Sequence, residues 1–383
     1  MALETMSKTN LFILGCLFFL VDSCISPQDG STVVFDVDGG VSTPVSVFDL
    51  FSEVSVTTLE QADRIAYSVY NGPSSIACSQ DRLYILDEWN RIIYVYGLDG
   101  TLLDMVNHLG RGHGEFAMAS AIKAGCYEGS VDVLDPSCRI IHYSSSEGMP
   151  YLSEENYRQF FSSINDFALT DDGYYVLFSI SEERPFSISK SGSSSIKQVS
   201  YRPQSWLYRY QYPNPPLFEI SGKVCFFEPD NGTIYSIEPS TGSYSLLYQF
   251  DVGKYTCKTS DIPKKGKVEE YGEFIRQYSL RRVSPFLRML ACKNLVFITA
   301  VFQNDVCTLV FNTDSKDTCF IKKTKEGMKL MPGVYYDGCI YSIVESSYIE
   351  DYISYAILNE QALSDIKRAK EEEGAILIKY RLK

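Results

Sequence analysis

Short apolar runs separated by turn residues recur along this chain, and they come in pairs. Leu83–Leu86 is answered by Ile92–Tyr96, Val131–Leu134 by Ile140–Tyr143, and Tyr174–Ser179 by Phe186–Ser189. The same pairing joins Val224–Phe227 to Thr233–Ile237, Val296–Val301 to Cys307–Asn312, and Ile340–Val344 to the final run, Ala375–Leu382. Runs of this length, alternating or continuously apolar and bounded by Gly, Asp, Asn and Ser, read as β-strands. Asp99-Gly100, Asp172-Gly173, Asn231-Gly232 and Asp337-Gly338 supply the positive-φ positions that tight hairpins need. Six units begin near residues 83, 131, 174, 224, 295 and 340. A strand–turn–strand unit repeated on this scale predicts an all-β array of similar sheets, a six-bladed β-propeller.

The long step before the fifth unit places an insertion at Lys254–Arg282. Two early runs, Thr32–Val37 and Val54–Leu59, have no partner nearby. In a closed ring they are expected to complete the last blade and leave no long free edge. One segment breaks the strand pattern. Asn359–Glu373 carries Ala362, Leu363, Ile366 and Ala369 at helical spacing, with Gly374 ending it. It reads as a helix packed across the last blade, with a partner-binding helix as the alternative.

The N-terminus reads as an export signal rather than as structure. Leu11–Val21 is apolar but too short to span a bilayer, which takes roughly 20 apolar residues. Glu4 offsets Lys8, so initiation at Met6 gives a cleaner positive start. Val21-Asp22-Ser23-Cys24 resembles a bacterial lipobox, with Asp22 unusual at its position. That resemblance makes residues 1–23 a leader, Cys24 the lipidated N-terminus and 24–31 a tether ahead of a propeller over 32–383. Plain secretion is the alternative. Several acyl chains would anchor stably, at about 0.8 kcal/mol per buried methylene.

The net charge of −13 excludes a basic nucleic-acid footprint. Lys264, Lys265 and Lys267 are the one dense basic cluster, flanked by Pro263 and Gly266 as a solvated loop tip would be. Of 11 cysteines, Cys16 falls in the leader and Cys24 is the lipid candidate. The others show no C-x-x-C spacing, so neither a zinc site nor a regular disulfide framework follows. No G-x-S-x-G elbow, H-E-x-x-H helix or Gly-rich phosphate loop is present.

Leu83-Tyr84-Ile85-Leu86-Asp87, then Tyr94–Gly100, then Gly110-Arg111-Gly112-His113-Gly114-Glu115-Phe116, together form a recognisable stretch. It resembles the first full repeat of the six-bladed β-propeller lipoproteins abundant in Bacteroidetes, which are related to NHL-repeat propellers. His113 stands where that family usually has Pro. The charged helix and closing run Ile376–Lys383 are similar to the family's C-terminus. The resemblance implies a propeller fold and a lipid-anchored place in the cell envelope, at the outer membrane, and it implies no shared reaction.

Candidate binding residues follow from loop chemistry. Three glycines in Gly110–Phe116 permit unusual backbone, and Arg111 and Glu115 could pair with each other or with a ligand. The structural alternative is an inter-blade turn with Glu115 accepting backbone N–H groups and Phe116 as anchor. His113 and His108 lack acidic ligands at metal spacing. In Asp87–Arg91, Trp89 could stack on a sugar and Arg91 pair with a carboxylate. Trp206 sits in an aromatic, Arg-rich stretch suited to a contact surface or an ordinary strand. No catalytic residue, metal or cofactor is expected. The reading is a binding or scaffolding module for a glycan, peptide or protein, its ligand on one face or in the axial funnel. A polysaccharide- or ester-cleaving hydrolase or lyase is the alternative, on fold analogy, and a subunit of an outer-membrane assembly is a third reading.

Overall fold

The computed structural model describes residues 30–65, 75–125, 127–193, 195–203, 215–228, 232–256, 258 and 268–383. Six antiparallel sheets follow one another along the chain as blades 1 to 6 of a propeller. From axis to rim, blade 1 is Ser75–Ser79, Arg82–Asp87, Ile92–Gly97 and Leu102–Val106. Blade 2 is Ala121–Ala124, Ser130–Asp135, Arg139–Ser144 and Tyr151–Asn156. Blade 3 is Asp166–Leu169, Tyr174–Phe178, Phe186–Lys190 and Lys197–Gln198. Blade 4 begins Leu217–Ile220, Lys223–Glu228, Thr233–Glu238 and Ser243–Asp251. Blade 5 is Phe286–Cys292, Leu295–Phe302, Asp305–Asn312 and Thr318–Ile321. Blade 6 is Val334–Tyr336, Cys339–Glu345 and Ala375–Leu382, with Phe51–Leu59 outermost. The paired runs read from the sequence are the second and third strands of each blade.

Each sheet is buried on both faces, which is why its central strands are continuously apolar. The core divides into six clusters, one between each pair of neighbouring blades. Tyr84 and Ile93 meet Ile122 and Val133 between blades 1 and 2, for example, and Leu83 and Tyr94 meet Tyr341 and Leu377 between blades 1 and 6. Cohesion around the ring therefore comes from inter-blade burial, at about 25 cal/mol per Å² of apolar surface. Asp337 and Gly338 both take positive φ, 44° and 75°, as a type I′ hairpin requires.

The ring closes between its ends. Phe51–Leu59 pairs antiparallel with Ala375–Leu382, from Phe51 opposite Leu382 to Leu59 opposite Ala375. The other early strand departs from expectation. Ser31–Val34 does not join blade 6; it adds a fifth strand to the rim of blade 4, parallel to Ser243–Asp251, with Ser31 opposite Tyr248 and Val34 opposite Asp251. The physical reason is an edge and a fit. Ser243–Asp251 is nine residues long and offers that edge, and Val33 and Phe35 enter the core between blades 4 and 5. Gly30 permits the approach, since a Cβ there would lie 1.2 Å from Leu246 Cδ2. Two short helices, Val37–Ser42 and Val47–Leu50, then carry the chain past blade 5 to blade 6. Asp36 caps the first, and a Ser46/Asp49 capping box starts the second.

The insertion between blades 4 and 5 contains a helix, Val268–Ser279, while the lysine cluster lies outside the described residues. The C-terminal helix is Glu360–Glu371, N-capped by Asn359 and packed on Phe51–Leu59. Ala362, Ile366 and Ala369 are its buried face; Leu363 is exposed. Glu373, not Gly374, takes the left-handed position after it, at φ 51°. Gly374 N–H then reaches the Ala369 carbonyl at 2.9 Å, completing a Schellman-type end. All seven cysteines among the described residues are free thiols.

Candidate functional site

Closing six blades into a ring brings their first strands together around one axis, where they line a channel of about 740 Å³. Its walls mix apolar and polar groups, with Ile76, Phe167, Phe218 and Val334 among the apolar ones. Charge enters at a few places. Lys123 comes from blade 2, Asp166 and Asp171 from blade 3, Glu219 from blade 4 and Arg288 from blade 5, with Asp132 behind Lys123.

Strand register explains the arrangement on blade 2. Lys123 pairs with Asp132, and Asp132 with His142, so the three form a row across the sheet. The row starts at the channel and runs into the interface with blade 3. Lys123 Nζ lies 2.7 Å from Asp166 Oδ1 and donates to the Phe167 carbonyl at 2.5 Å. Asp166 Oδ2 accepts the Leu217 N–H at 2.8 Å, so one carboxylate ties blades 2, 3 and 4 together. Further in, His142 Nδ1 donates to Asp132 Oδ1 at 2.7 Å, and Tyr175 Oη lies 3.4 Å from its Nε2. His142 and Asp132 are both buried, and their hydrogen bond gives each the polar partner that burial demands. Across the ring, Arg288 is buried against the channel wall, and that burial pulls its guanidinium down to about 10. Asp171 and Glu219 are exposed near the turns between first and second strands. Among the described residues, no three His, Cys, Asp or Glu side chains gather as metal ligands.

The residues chosen from the sequence lie elsewhere. Gly110–Phe116 is the crossover from blade 1 to blade 2, held from below by Arg139. That guanidinium donates to the carbonyls of Glu115 at 2.6 Å and Gly112 at 3.4 Å, and pairs with Asp135 at 2.8 Å and Glu154 at 3.2 Å. Glu115 Oε2 accepts the Gly112 N–H at 2.9 Å, and Phe116 is fully buried. Arg111 and His113 point outward as exposed residues, and His113 lies 6.5 Å from the Tyr151 ring. His108 stacks on Tyr143 and donates from Nε2 to the carbonyls of Gly148 and Met149, each at 3.1 Å. Trp89 is 85 % exposed at the tip of the blade 1 hairpin, beside Arg91 at φ 59°. Asp87 fixes that tip by accepting from Asn90 N at 2.8 Å and Nδ2 at 2.7 Å. None of Trp89, Arg91, Arg111, His113 and Glu115 lines the channel. Cys24 and Trp206 lie outside the described residues.

Sequence reading missed Lys123, Asp166 and Arg288. The available signal was a single cation inside a short apolar run, Ala121-Ile122-Lys123-Ala124 and Phe286–Leu290. It is faint without knowing that those runs face an axis.

A family model described as a domain of unknown function, DUF4934, matches residues 32–381. No curated protein matches the chain. Among solved structures, a Bacteroides fragilis protein whose name describes it as exported is similar at 15 % identity and a TM-score of 0.66, covering 92 % of this chain and 100 % of its own. A member of the DUF4221 family from Bacteroides vulgatus has 10 % identity and a TM-score of 0.51, covering 87 % and 97 %. A Bacteroides thetaiotaomicron protein of unknown function has 11 % identity and a TM-score of 0.51, covering 86 % and 76 %. At these identities the likeness is one of fold. No helix of the described residues is long and apolar enough to cross a membrane.

Proposed function

As this chain belongs to the DUF4934 family, for which no function is described, we propose that it is an exported propeller of the cell envelope acting as a binding or scaffolding module. The observation that carries the binding reading is the axial channel. It has the volume of a small-molecule site, and apolar and polar groups converge on its walls. Elsewhere the blades spend their apolar surface on one another.

Export is supported by the Leu11–Val21 leader and by the similarity to the exported Bacteroides fragilis protein. Lipid attachment at Cys24, which would hold the propeller at the outer membrane, is supported by Val21-Asp22-Ser23-Cys24. The test has two arms. Metabolic labelling with an alkyne fatty acid should mark the protein and not its Cys24→Ser variant, and the label should sediment with membranes. Purified protein should gain thermal stability from at least one member of a panel of envelope glycans, peptides and envelope protein extracts. Release of product from a glycan or ester in that panel would replace the binding module with an enzyme.

A further inference from the structure

Trp89 is the most exposed large apolar side chain among the described residues, at 85 %, and none of the others passes 58 %. An indole is ordinarily buried to a large degree, so its place at the tip of a hairpin needs a reason. The turn that carries it is not loose. Asn90 gives its N–H to Asp87 Oδ1 at 2.8 Å, and its Nδ2 donates to Asp87 Oδ2 at 2.7 Å and to the Arg64 carbonyl at 3.3 Å. Asp87 is buried, and Tyr94 Oη donates to that same carbonyl at 3.3 Å. The hairpin and the short turn Ala62–Arg64 are thereby fastened together, while Trp89 is held out in water.

Two cations share this tip. Arg91 lies two residues from Trp89 in the same turn, and Arg64 is the residue to which Asn90 is fastened. Both are exposed, and neither forms an ion pair among the described residues. We propose that Trp89, Arg91 and Arg64 form a surface site for an acidic sugar unit, a uronic acid within a polysaccharide. The site is separate from the axial channel, and neither depends on the other. A pyranose presents C–H groups of slight positive charge to the negative face of an indole. A guanidinium is a planar fork that matches a carboxylate.

Three observations favour a sugar over other polymers. Glu88, Asn90 and Arg91 around the indole are exposed and polar, so no apolar ring seals it as a protein hot spot requires. The net charge of −13 disfavours a polyphosphate backbone. Asp63 and Glu88, both exposed, keep the tip from being strongly cationic, which suits one carboxylate per unit rather than a densely sulfated chain. The topology also presents the site. Trp89 follows a second strand and lies on the face of the crossovers, whereas Ser31 runs parallel to a fourth strand and enters at the face of the first-to-second turns. The chain preceding Ser31 therefore joins the propeller at the face opposite Trp89.

The experiment is calorimetric titration of the purified protein with tri-galacturonic acid, its methyl ester and maltotriose, followed in parallel by tryptophan emission. The expected result is that the free acid binds, that it outbinds the ester and the neutral sugar by about tenfold, and that emission moves to the blue. Trp89→Ala should weaken the acid by about tenfold or more, remove the emission shift and leave the melting temperature unaltered. Arg64→Gln with Arg91→Asn, the latter chosen because Asn tolerates positive φ, should bring the acid down to the level of its ester and leave the ester unchanged. Acid and ester that bind equally, Trp89→Ala that binds as the parent does, or no binding at millimolar probe overturn the site. An emission shift with phosphatidylglycerol vesicles and none with sugar overturns it too, and makes Trp89 a membrane contact. Each of these failures leaves the axial channel, and the binding-module reading with it, to be decided by the glycan, peptide and protein panel.

Discussion

Replacing Arg139 with Met removes the group that joins blade 2 to the crossover above it. Arg139 is 3 % exposed and Asp135 is 1 % exposed, so the substitution strands a buried carboxylate. Breaking such a pair from one side costs about 3–5 kcal/mol. For a domain of about 350 residues, unfolding entropy of about 2.1 cal/mol/K per residue converts this to a drop of roughly 4–7 °C in melting temperature. Burial pushes the Asp135 carboxyl up, but hydrogen bonds from Arg139, Ser137 and Ala117 outweigh it and hold the group below its ordinary value. A depressed carboxylate stabilises the fold above its unfolded pKa of about 3.9, and that contribution fades as pH falls through the folded value. The gap between parent and variant should therefore be full at pH 7 and narrow below about pH 4. Circular-dichroism melts across pH read both effects, and trypsin reads the loop, since cleavage after exposed Arg111 should accelerate once the Gly112 and Glu115 carbonyls lose their donor. Adding Asp135→Asn to the variant should recover part of the loss. A melting change under 1 °C at pH 7, or a double variant no better than the single one, would refute the reasoning.

Glu373→Gly relieves a non-glycine residue at φ 51° and should stabilise the protein by about 0.5–1 kcal/mol, seen as a higher urea midpoint with unchanged slope. Burial pushes the thiols of Cys78, Cys225 and Cys292 up to about 12 and that of Cys138 up to about 11. Maleimide labelling mapped by mass spectrometry should leave those four unmodified in the native protein and modify all of them in urea. Native labelling of any one of the four would show that its blade interface opens on the time scale of the reaction.

The hairpins were legible because both of their faces are buried, while the Asp-Gly turns belong to neighbouring connections, as at Asp99-Gly100 between the third and fourth strands of blade 1 and Asp172-Gly173 between the first and second of blade 3. The flanking strands were not. Lys197–Gln198 and Val334–Tyr336 are too short to show a period. Gln80-Asp81, which joins the first two strands of blade 1, adopts positive φ without any glycine to mark it. Ser31–Val34 reads as a strand, but which edge it covers depends on the approach of Gly30 to Leu246, a contact between residues far apart in the chain. The loop residues Trp89, Arg111, His113 and Glu115 drew attention by their chemistry, whereas Lys123 and Arg288 gain meaning only from the blades that face them.

The fifth strand on blade 4 also governs how the molecule takes mechanical load. Any tension arriving through the residues before Ser31 reaches that strand first, and the strand that seals the ring, Phe51–Leu59, lies beyond it and beyond two capped helices. Pulled along its own axis, Ser31–Val34 resists in shear, with its ladder bonds strained together rather than unzipped one by one. Were the chain tethered through the residues before Ser31, that attachment would work as a strain relief, with drag spent at one rim while the seam between the first and last blades stays unloaded.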